Sequence, residues 1–142
     1  MKRILINSEE ETTALAQHFA STLKGGEIVL MTGDLGAGKS FFVRALANSV
    51  GVKKRINSPT FVLMKVYNVE KQIFKKIVHV DAYRVETDDL LNVGLDEYLD
   101  DPEAVIFIEW GEKIEDFLTK NDYIFQKIDI SITGLSSRVI SI

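Results

Sequence analysis

The sequence of 142 residues contains no cysteine, which excludes disulfide bonds, thiolate nucleophiles and cysteine-ligated zinc. No apolar run approaches the length of a membrane-spanning helix, and the amino-terminal stretch lacks the apolar segment of a signal peptide. The formal net charge of -4 gives no general basic surface for nucleic acid. These absences predict a cytoplasmic protein that does not contact membranes.

The sequence also lacks internal repeats and low-complexity linkers, so residues 1–142 are predicted to form a single domain. A capping box at Ser8 and Glu11 begins a predicted helix that Gly25 and Gly26 end. A second predicted helix begins at Lys39 and is ended by Gly51, a third covers the sequence GEKIEDFL, and residues 86–103 are expected to be short-helical or irregular.

Apolar and alternating segments predict the strands. They are KRILIN, EIVLMTG, FVLMKVYN, IFKKIVHVDAY, AVIFIEW, IFQKIDISI and RVISI. The third and fourth are expected to form a hairpin, and the alternation in the sixth places Ile128, Ile130 and Ile132 on one face. The predicted class is therefore α/β, a mixed sheet of P-loop NTPase type with a parallel centre, antiparallel additions and flanking helices.

One motif lies between a predicted strand and a predicted helix: residues 33–40 satisfy the phosphate-loop pattern G-x-x-x-x-G-K-[ST]. Its glycines allow backbone N–H groups to surround phosphate oxygens, and its lysine reaches the β- and γ-phosphates. The expected cofactors are ATP and Mg²⁺. The predicted nucleotide-binding residues are Gly33, Asp34, Leu35, Gly36, Ala37, Gly38, Lys39, Ser40 and Phe41, with Trp110 as a candidate at the rim.

Two apolar strands end in acids, Asp81 and Glu109. Strand ends beside a phosphate loop face one crevice, so both acids are candidates for the Mg²⁺ site. We assign Asp81 to the metal and Glu109 to orienting or deprotonating the attacking water, although the two roles are interchangeable on sequence grounds. The predicted metal-binding residues are Ser40, Thr60, Asp81 and Glu109, and the predicted catalytic residues are Lys39 and Glu109.

Two further residues have two interpretations each. Thr60 follows Ser40 on the first connection after the loop's helix, where a switch threonine contacts Mg²⁺, but a plain turn before a strand fits equally well. His79 lies two residues before Asp81 and shares its side of the strand, where it either bonds Asp81 or packs in the core, and packing is favoured.

Motifs for other nucleotide-dependent classes are missing. The guanine-specifying N-K-x-D and the D-x-x-G of regulatory GTPases do not occur, which favours ATP. The five arginines, at positions 3, 44, 55, 84 and 138, include no pair close in sequence that resembles a kinase lid. A minimal domain of this kind is expected to hydrolyse ATP slowly until a partner supplies further charge.

The blocks GDLGAGKS, SPTF, HVDAYR and IEWGE, in this order within one small domain, resemble the bacterial TsaE family. The stretch from Gly94 to Trp110 is especially similar. The resemblance implies a P-loop ATPase of tRNA threonylcarbamoyladenosine (t6A) biosynthesis in which Lys39 and Ser40 bind phosphate and Mg²⁺. It also implies that Thr60 lies in a switch-like loop, Asp81 in the metal site, and Glu109 with Trp110 in a second acidic motif.

The resemblance further implies a partner, the heterodimeric threonylcarbamoyl-transferase complex (TsaB–TsaD-like), whose multiple turnover ATP hydrolysis supports. Contact with tRNA is expected to be indirect, through that complex. Eight acids and no lysine or arginine between Glu86 and Glu103 form a candidate surface for the partner. Two alternatives remain: a nucleotide-gated assembly module in which hydrolysis is incidental, and a small-molecule kinase.

Overall fold

A computed structural model describes residues 1–52, 63–70 and 72–142. The described residues form seven strands in one sheet, with the order β1-β7-β6-β2-β5-β4-β3. The strands are β1 (Arg3–Ile6), β2 (Ile28–Thr32), β3 (Met64–Asn68), β4 (Lys76–Asp81), β5 (Ala104–Glu109), β6 (Gln126–Ile132) and β7 (Arg138–Ser141). The helices are α1 (Glu9–Ser21), α2 (Lys39–Ser49), α3 (Thr87–Asn92), α4 (Leu95–Leu99) and α5 (Glu115–Lys120), with a 3₁₀ turn at Gly111–Lys113.

The centre of the sheet is parallel: β2 pairs with β5 and β6, and β4 pairs with β5. The edges are antiparallel, because β3 pairs with β4, β7 with β6, and β1 with β7. This arrangement confirms the predicted α/β class with a parallel centre, antiparallel additions and flanking helices. The carboxyl ends of β2, β4 and β5 lie at the same edge, where parallel sheets bind ligands.

Each face of the sheet is covered by helices. The central strands alternate their apolar side chains between the faces, so both faces are buried. On one face, α1 and α2 contribute Phe19, Phe42 and Leu46 to a cluster that includes Phe107. On the other face, helices α3, α4 and α5 contribute Leu90, Leu95, Leu99 and Leu118 to a second cluster. The parallel centre, from which the loop between β2 and α2 emerges, is thus packed between two layers of helices.

Some predicted boundaries differ from the structure. Helix α1 ends at Ser21, before the two glycines, because Thr22 already bonds back to the last helical turn. Ser8 caps this helix, but the Glu11 carboxylate accepts from the backbone N–H of Asn7. The predicted hairpin of β3 and β4 is confirmed, although β4 begins only at Lys76.

The predicted alternation of the sixth strand is confirmed, but burial on that face ends before its last residue. Ile128 and Ile130 are buried, whereas Ile132 is 48 % exposed. Ile132 keeps the alternation of β6 but lies at the strand's last position, beyond the core cluster that covers the other two. Among the residues that the structure describes, no helix is long and apolar enough to cross a membrane.

Candidate nucleotide-binding site

The loop between β2 and α2 is shaped by backbone conformations that favour glycine. Gly33 has φ +140°, and a Cβ there would lie 2.4 Å from the carbonyl oxygen of Ile130 on β6. Gly38, immediately before α2, has φ +113° and open space around it. Arg138 of β7 donates from Nε to the carbonyl of Ala37 at 3.1 Å, which braces the loop against the carboxy-terminal hairpin.

Lys39 begins α2 and points back into the loop. Its side chain is buried, and Nζ donates to the carbonyl oxygens of Gly33, at 2.5 Å, and Asp34, at 3.0 Å. Nζ also lies 4.2 Å from the centroid of the Trp110 ring, within cation–π range. Burial lowers the pKa of Lys39 from its usual value, and nearby carboxylates, Glu109 foremost, oppose that decrease. The ammonium is therefore held against the backbone of the loop.

The two predicted acids lie side by side. In the parallel pairing of β4 with β5, Asp81 is opposite Glu109, and both are almost fully buried. The Ser40 hydroxyl lies 2.9 Å from Oε1 and 2.7 Å from Oε2 of Glu109 and donates to this carboxylate. Asp81 accepts at Oδ1 from the backbone N–H of Tyr83. The structure thus brings Ser40, Asp81 and Glu109 together beside the loop.

His79 is fully buried in β4, and its partner is not the expected one. Its Nε2 lies 2.5 Å from Oε2 of Glu109, so the interpretations of simple packing and of a bond to Asp81 are both replaced by a bond to Glu109. The reason is the register: His79 is opposite Phe107, and Glu109, two residues further along β5, lies on the same face as Phe107. The ring therefore reaches Glu109 diagonally.

Trp110 follows β5 in the left-handed conformation, with φ +60°, which is uncommon for a large side chain. If the strand had continued, Trp110 would have pointed away from the Glu109 side. Instead β5 ends at Glu109, and Trp110 turns into the cleft, where its ring lies 4.7 Å from that of Tyr83. Lys39 Nζ therefore contacts both the Trp110 ring and the loop carbonyls.

These groups line a cleft of about 400 Å³. It contains most of the predicted residues, namely Leu35, Gly36, Gly38, Lys39, Ser40, Phe41, Asp81, Glu109 and Trp110. Gly33 and Asp34 contribute carbonyls to Lys39, and Ala37 is buried behind the loop. Thr60 lies outside the described residues.

Sequence reasoning missed three residues that line the same cleft: Arg44, Tyr83 and Arg84. Arg44 and Arg84 are far apart in the chain, so sequence spacing gave no indication of their approach. Tyr83 and Arg84 directly follow Asp81 in the HVDAYR block, which was a usable signal. Two arginines that are distant in sequence therefore line one cleft, so their spacing in the sequence does not exclude a kinase.

The oxygen groups in the cleft fit Mg²⁺. This ion prefers oxygen ligands and is usually held by one or two carboxylates together with substrate phosphates and water. Ser40, Asp81 and Glu109 supply a hydroxyl and two carboxylates. Within the described part of the chain, no group of three or more His, Cys, Asp or Glu residues is arranged to hold a metal alone.

Comparisons with known proteins agree with this fold and sequence. A family-wide sequence model described as "Threonylcarbamoyl adenosine biosynthesis protein TsaE" matches residues 6–140. The tRNA threonylcarbamoyladenosine biosynthesis protein TsaE of Aquifex aeolicus is 38% identical over 115 residues, covering 80% of this chain and 79% of the relative. The protein of the same name from Streptomyces coelicolor is 35% identical over 138 residues, covering 87% of this chain and 90% of the relative.

A solved structure is also similar. The crystal structure of Bacillus subtilis YdiB superposes with a TM-score of 0.75 at 28% identity, covering 98% of this chain and 82% of that one. The family match spans nearly the whole sequence, and the identities exceed 30% over most of both chains. This chain therefore belongs to the TsaE family of tRNA threonylcarbamoyladenosine biosynthesis proteins.

Proposed function

We propose that this protein binds ATP with Mg²⁺ and hydrolyses it as an accessory subunit of the t6A modification machinery, supporting turnover of the threonylcarbamoyl-transferase complex. The observation that carries the proposal is the bond from the Ser40 hydroxyl to Glu109, next to a buried Lys39. It joins the phosphate loop to the acid at the end of the neighbouring strand. Membership of the TsaE family supports the place of this site in t6A biosynthesis.

The loop and Lys39 provide the phosphate-binding part. Lys39 holds a concentrated positive charge next to the first turn of α2, whose free backbone N–H groups favour anions. Its two carbonyl bonds hold the ammonium against the loop, and Nζ has three N–H donors, so one is left for a phosphate oxygen. The buried setting strengthens its attraction to a phosphate oxygen.

Ser40 and one of the two acids, Asp81 or Glu109, would hold Mg²⁺. When bound, this ion would neutralise negative charge on the phosphate oxygens during transfer. The contact with Ser40 favours Glu109 as the carboxylate on the metal side, and Asp81 then becomes the candidate for orienting the attacking water. This exchanges the roles first assigned from the sequence, and both arrangements use the same residues.

The proposed partner is the TsaB–TsaD-like transferase heterodimer, because the relatives are named as t6A biosynthesis proteins. We place the acidic segment that contains α3 and α4 against it, with tRNA contacted through the complex. Asp96 and Glu97 are exposed on α4 and are available for such a contact. We also propose a cytoplasmic location, where tRNA modification takes place.

The test is phosphate release from ATP by the purified protein, alone and with the transferase heterodimer, in the presence and absence of Mg²⁺. We expect slow release alone, faster release with the heterodimer, and loss of both in Lys39→Ala. Lys24→Ala is the matched control, because Lys24 is an exposed lysine outside the cleft. The proposal fails if wild-type protein and partners together release no phosphate.

Two other results point to the alternative functions. Labelled γ-phosphate that appears on an acceptor instead of in solution indicates a kinase. Full multiple-turnover tRNA modification by Glu109→Ala, with hydrolysis abolished, indicates a nucleotide-gated assembly module. Measuring free phosphate, labelled acceptor and modified tRNA in the same reactions separates the three functions.

A further inference from the structure

His79 is a buried polar residue for which the proposed hydrolysis has no role so far. It occupies the middle of β4 with no exposed surface, among apolar neighbours that include Ile77 and Phe107 on the same face. A polar ring in such a place is unfavourable unless its nitrogen atoms are hydrogen-bonded. Its only described partner is the carboxylate of Glu109.

The hydrogen bonding identifies the donor. Nδ1 of His79 is buried and has no hydrogen-bond partner among the described residues, whereas Nε2 lies beside Oε2 of Glu109. An ionised carboxylate only accepts, so with Glu109 ionised the proton that joins the pair is on Nε2. An unpartnered lone pair on Nδ1 is tolerated more easily than an unpartnered buried N–H, which favours the neutral form protonated at Nε2.

The bond restrains the Glu109 carboxylate from β4, in addition to the contact from α2. Oε2 receives His79 from β4 and Ser40 from α2, and Oε1 also lies within bonding distance of Ser40. A glutamate has three side-chain torsions, and a carboxylate that is hydrogen-bonded from two elements loses the alternatives. Such outer partners hold ligating carboxylates in the orientation that a metal requires.

We propose that His79 is a positioning residue: its Nε2–H holds the Glu109 carboxylate in the orientation that serves Ser40 and Mg²⁺. The inference rests on the proposed ATPase function, but it concerns only this chain's own residues. It predicts that kcat for ATP depends on an N–H donor at the position of Nε2. A ring of the same volume, or a polar side chain without a donor at that position, should not maintain kcat.

Three substitutions separate these properties. His79→Gln places an amide N–H near the position of Nε2, His79→Asn places it near Nδ1, and His79→Phe keeps a ring without any donor. We expect His79→Gln to retain kcat for ATP within about threefold and the other two to lose about 10- to 100-fold. The affinity for ADP in EDTA should be nearly unchanged in all three, because the proposed function assigns phosphate binding to Lys39 and the loop and not to His79.

A double substitution tests whether His79 acts through Glu109. His79→Asn alone should raise the Mg²⁺ concentration needed for half-maximal ATP binding, whereas the same replacement in a Glu109→Ala background should not raise it further, because the group that His79 positions is gone. Equal kcat in His79→Asn and His79→Gln overturns the inference. If the wild type hydrolyses ATP, that result leaves the proposed function intact. A wild type that does not hydrolyse ATP contradicts the proposed function instead.

A measurement without turnover decides the same point even if His79→Phe does not fold. Nitrogen-15 spectra of the imidazoles in wild-type protein distinguish a protonated from a bare Nε2, and exposed His18 is the internal reference. We expect a proton on Nε2 of His79. A bare Nε2 overturns the inference, whatever the ATPase activity.

Discussion

Ser40 donates its hydroxyl to Glu109, with oxygen–oxygen distances of 2.7 and 2.9 Å, across 69 residues of sequence. The bond joins the first turn of α2 to the last residue of β5. It exists because β2 and β5 are parallel neighbours, with Met31 opposite Glu109. A phosphate-loop hydroxyl and a strand-end carboxylate are thereby combined into one oxygen-rich site.

The first prediction concerns that hydroxyl. Ser40→Ala should lower Mg²⁺-dependent ATP hydrolysis about 10- to 100-fold, because Glu109 loses one of its two partners and the proposed metal site loses a ligand. Ser40→Thr should keep hydrolysis within about threefold, since the hydroxyl is retained. Phosphate release across a Mg²⁺ titration is the measurement. Equal activity in the two variants would contradict the role given to the hydroxyl.

A second prediction separates the two acids. If Glu109 is on the metal side, Glu109→Gln should raise the Mg²⁺ concentration needed for half-maximal ATP binding, by about tenfold or more. Asp81→Asn should leave that concentration nearly unchanged and lower kcat. Calorimetric titration of ATP at several Mg²⁺ concentrations, with single-turnover hydrolysis, measures both. The reverse pattern restores Asp81 as the metal ligand.

The third prediction uses the only tryptophan of the chain. Trp110 lines the cleft and lies over Lys39, so ADP binding should change its fluorescence in a saturable way. The change should follow the same binding curve as calorimetry and vanish in Lys39→Ala. If calorimetry shows binding while the emission stays constant, Trp110 is not coupled to the phosphate site.

The sequence was sufficient for the parts of the site that depend on local patterns. The loop at residues 33–40 follows from its motif, and the pairing of Asp81 with Glu109 follows from two apolar strands that end in acids. The parallel centre also follows, because fully apolar strands imply helices on both faces. Each of these features is encoded within a short segment.

The remaining features depend on register and on one backbone dihedral angle. His79 contacts Glu109 only because β4 and β5 pair with His79 opposite Phe107, and no local pattern specifies that diagonal. Trp110 enters the cleft because its backbone is left-handed, which a sequence pattern does not predict for tryptophan. Arg44 lies on α2 and Arg84 follows β4, so only the tertiary fold brings both to the same cleft.

A fourth prediction is a pH effect away from the site. A hydrogen bond from Lys76, at 2.9 Å, and one from the backbone of Glu103 lower the pKa of Asp101 below its usual 3.8. A lowered folded-state pKa means that this stabilisation is present above 3.8 and is lost as the pH falls through the folded value.

Denaturant unfolding at several pH values measures this effect. Asp101→Asn should have a lower free energy of unfolding than wild type near neutral pH. The difference between the two free energies should shrink below pH 3.8. The matched control is Glu70→Gln, which removes the charge of an exposed acid outside the Lys76–Asp101 pair. A difference for Asp101→Asn that stays constant through the acid range would contradict the assignment.

The fifth prediction concerns the proposed partner surface. Reversing the charges with Asp96→Lys and Glu97→Lys should weaken binding to the transferase heterodimer about tenfold at low salt, if α4 meets a basic surface there. The loss should diminish as salt is raised, because exposed charges are screened. Glu9→Lys with Glu10→Lys is the matched control, since these exposed acids begin α1 on the other face of the sheet. Binding that is unaffected at low salt by the α4 reversal, or weakened equally by both pairs, removes α4 from the interface.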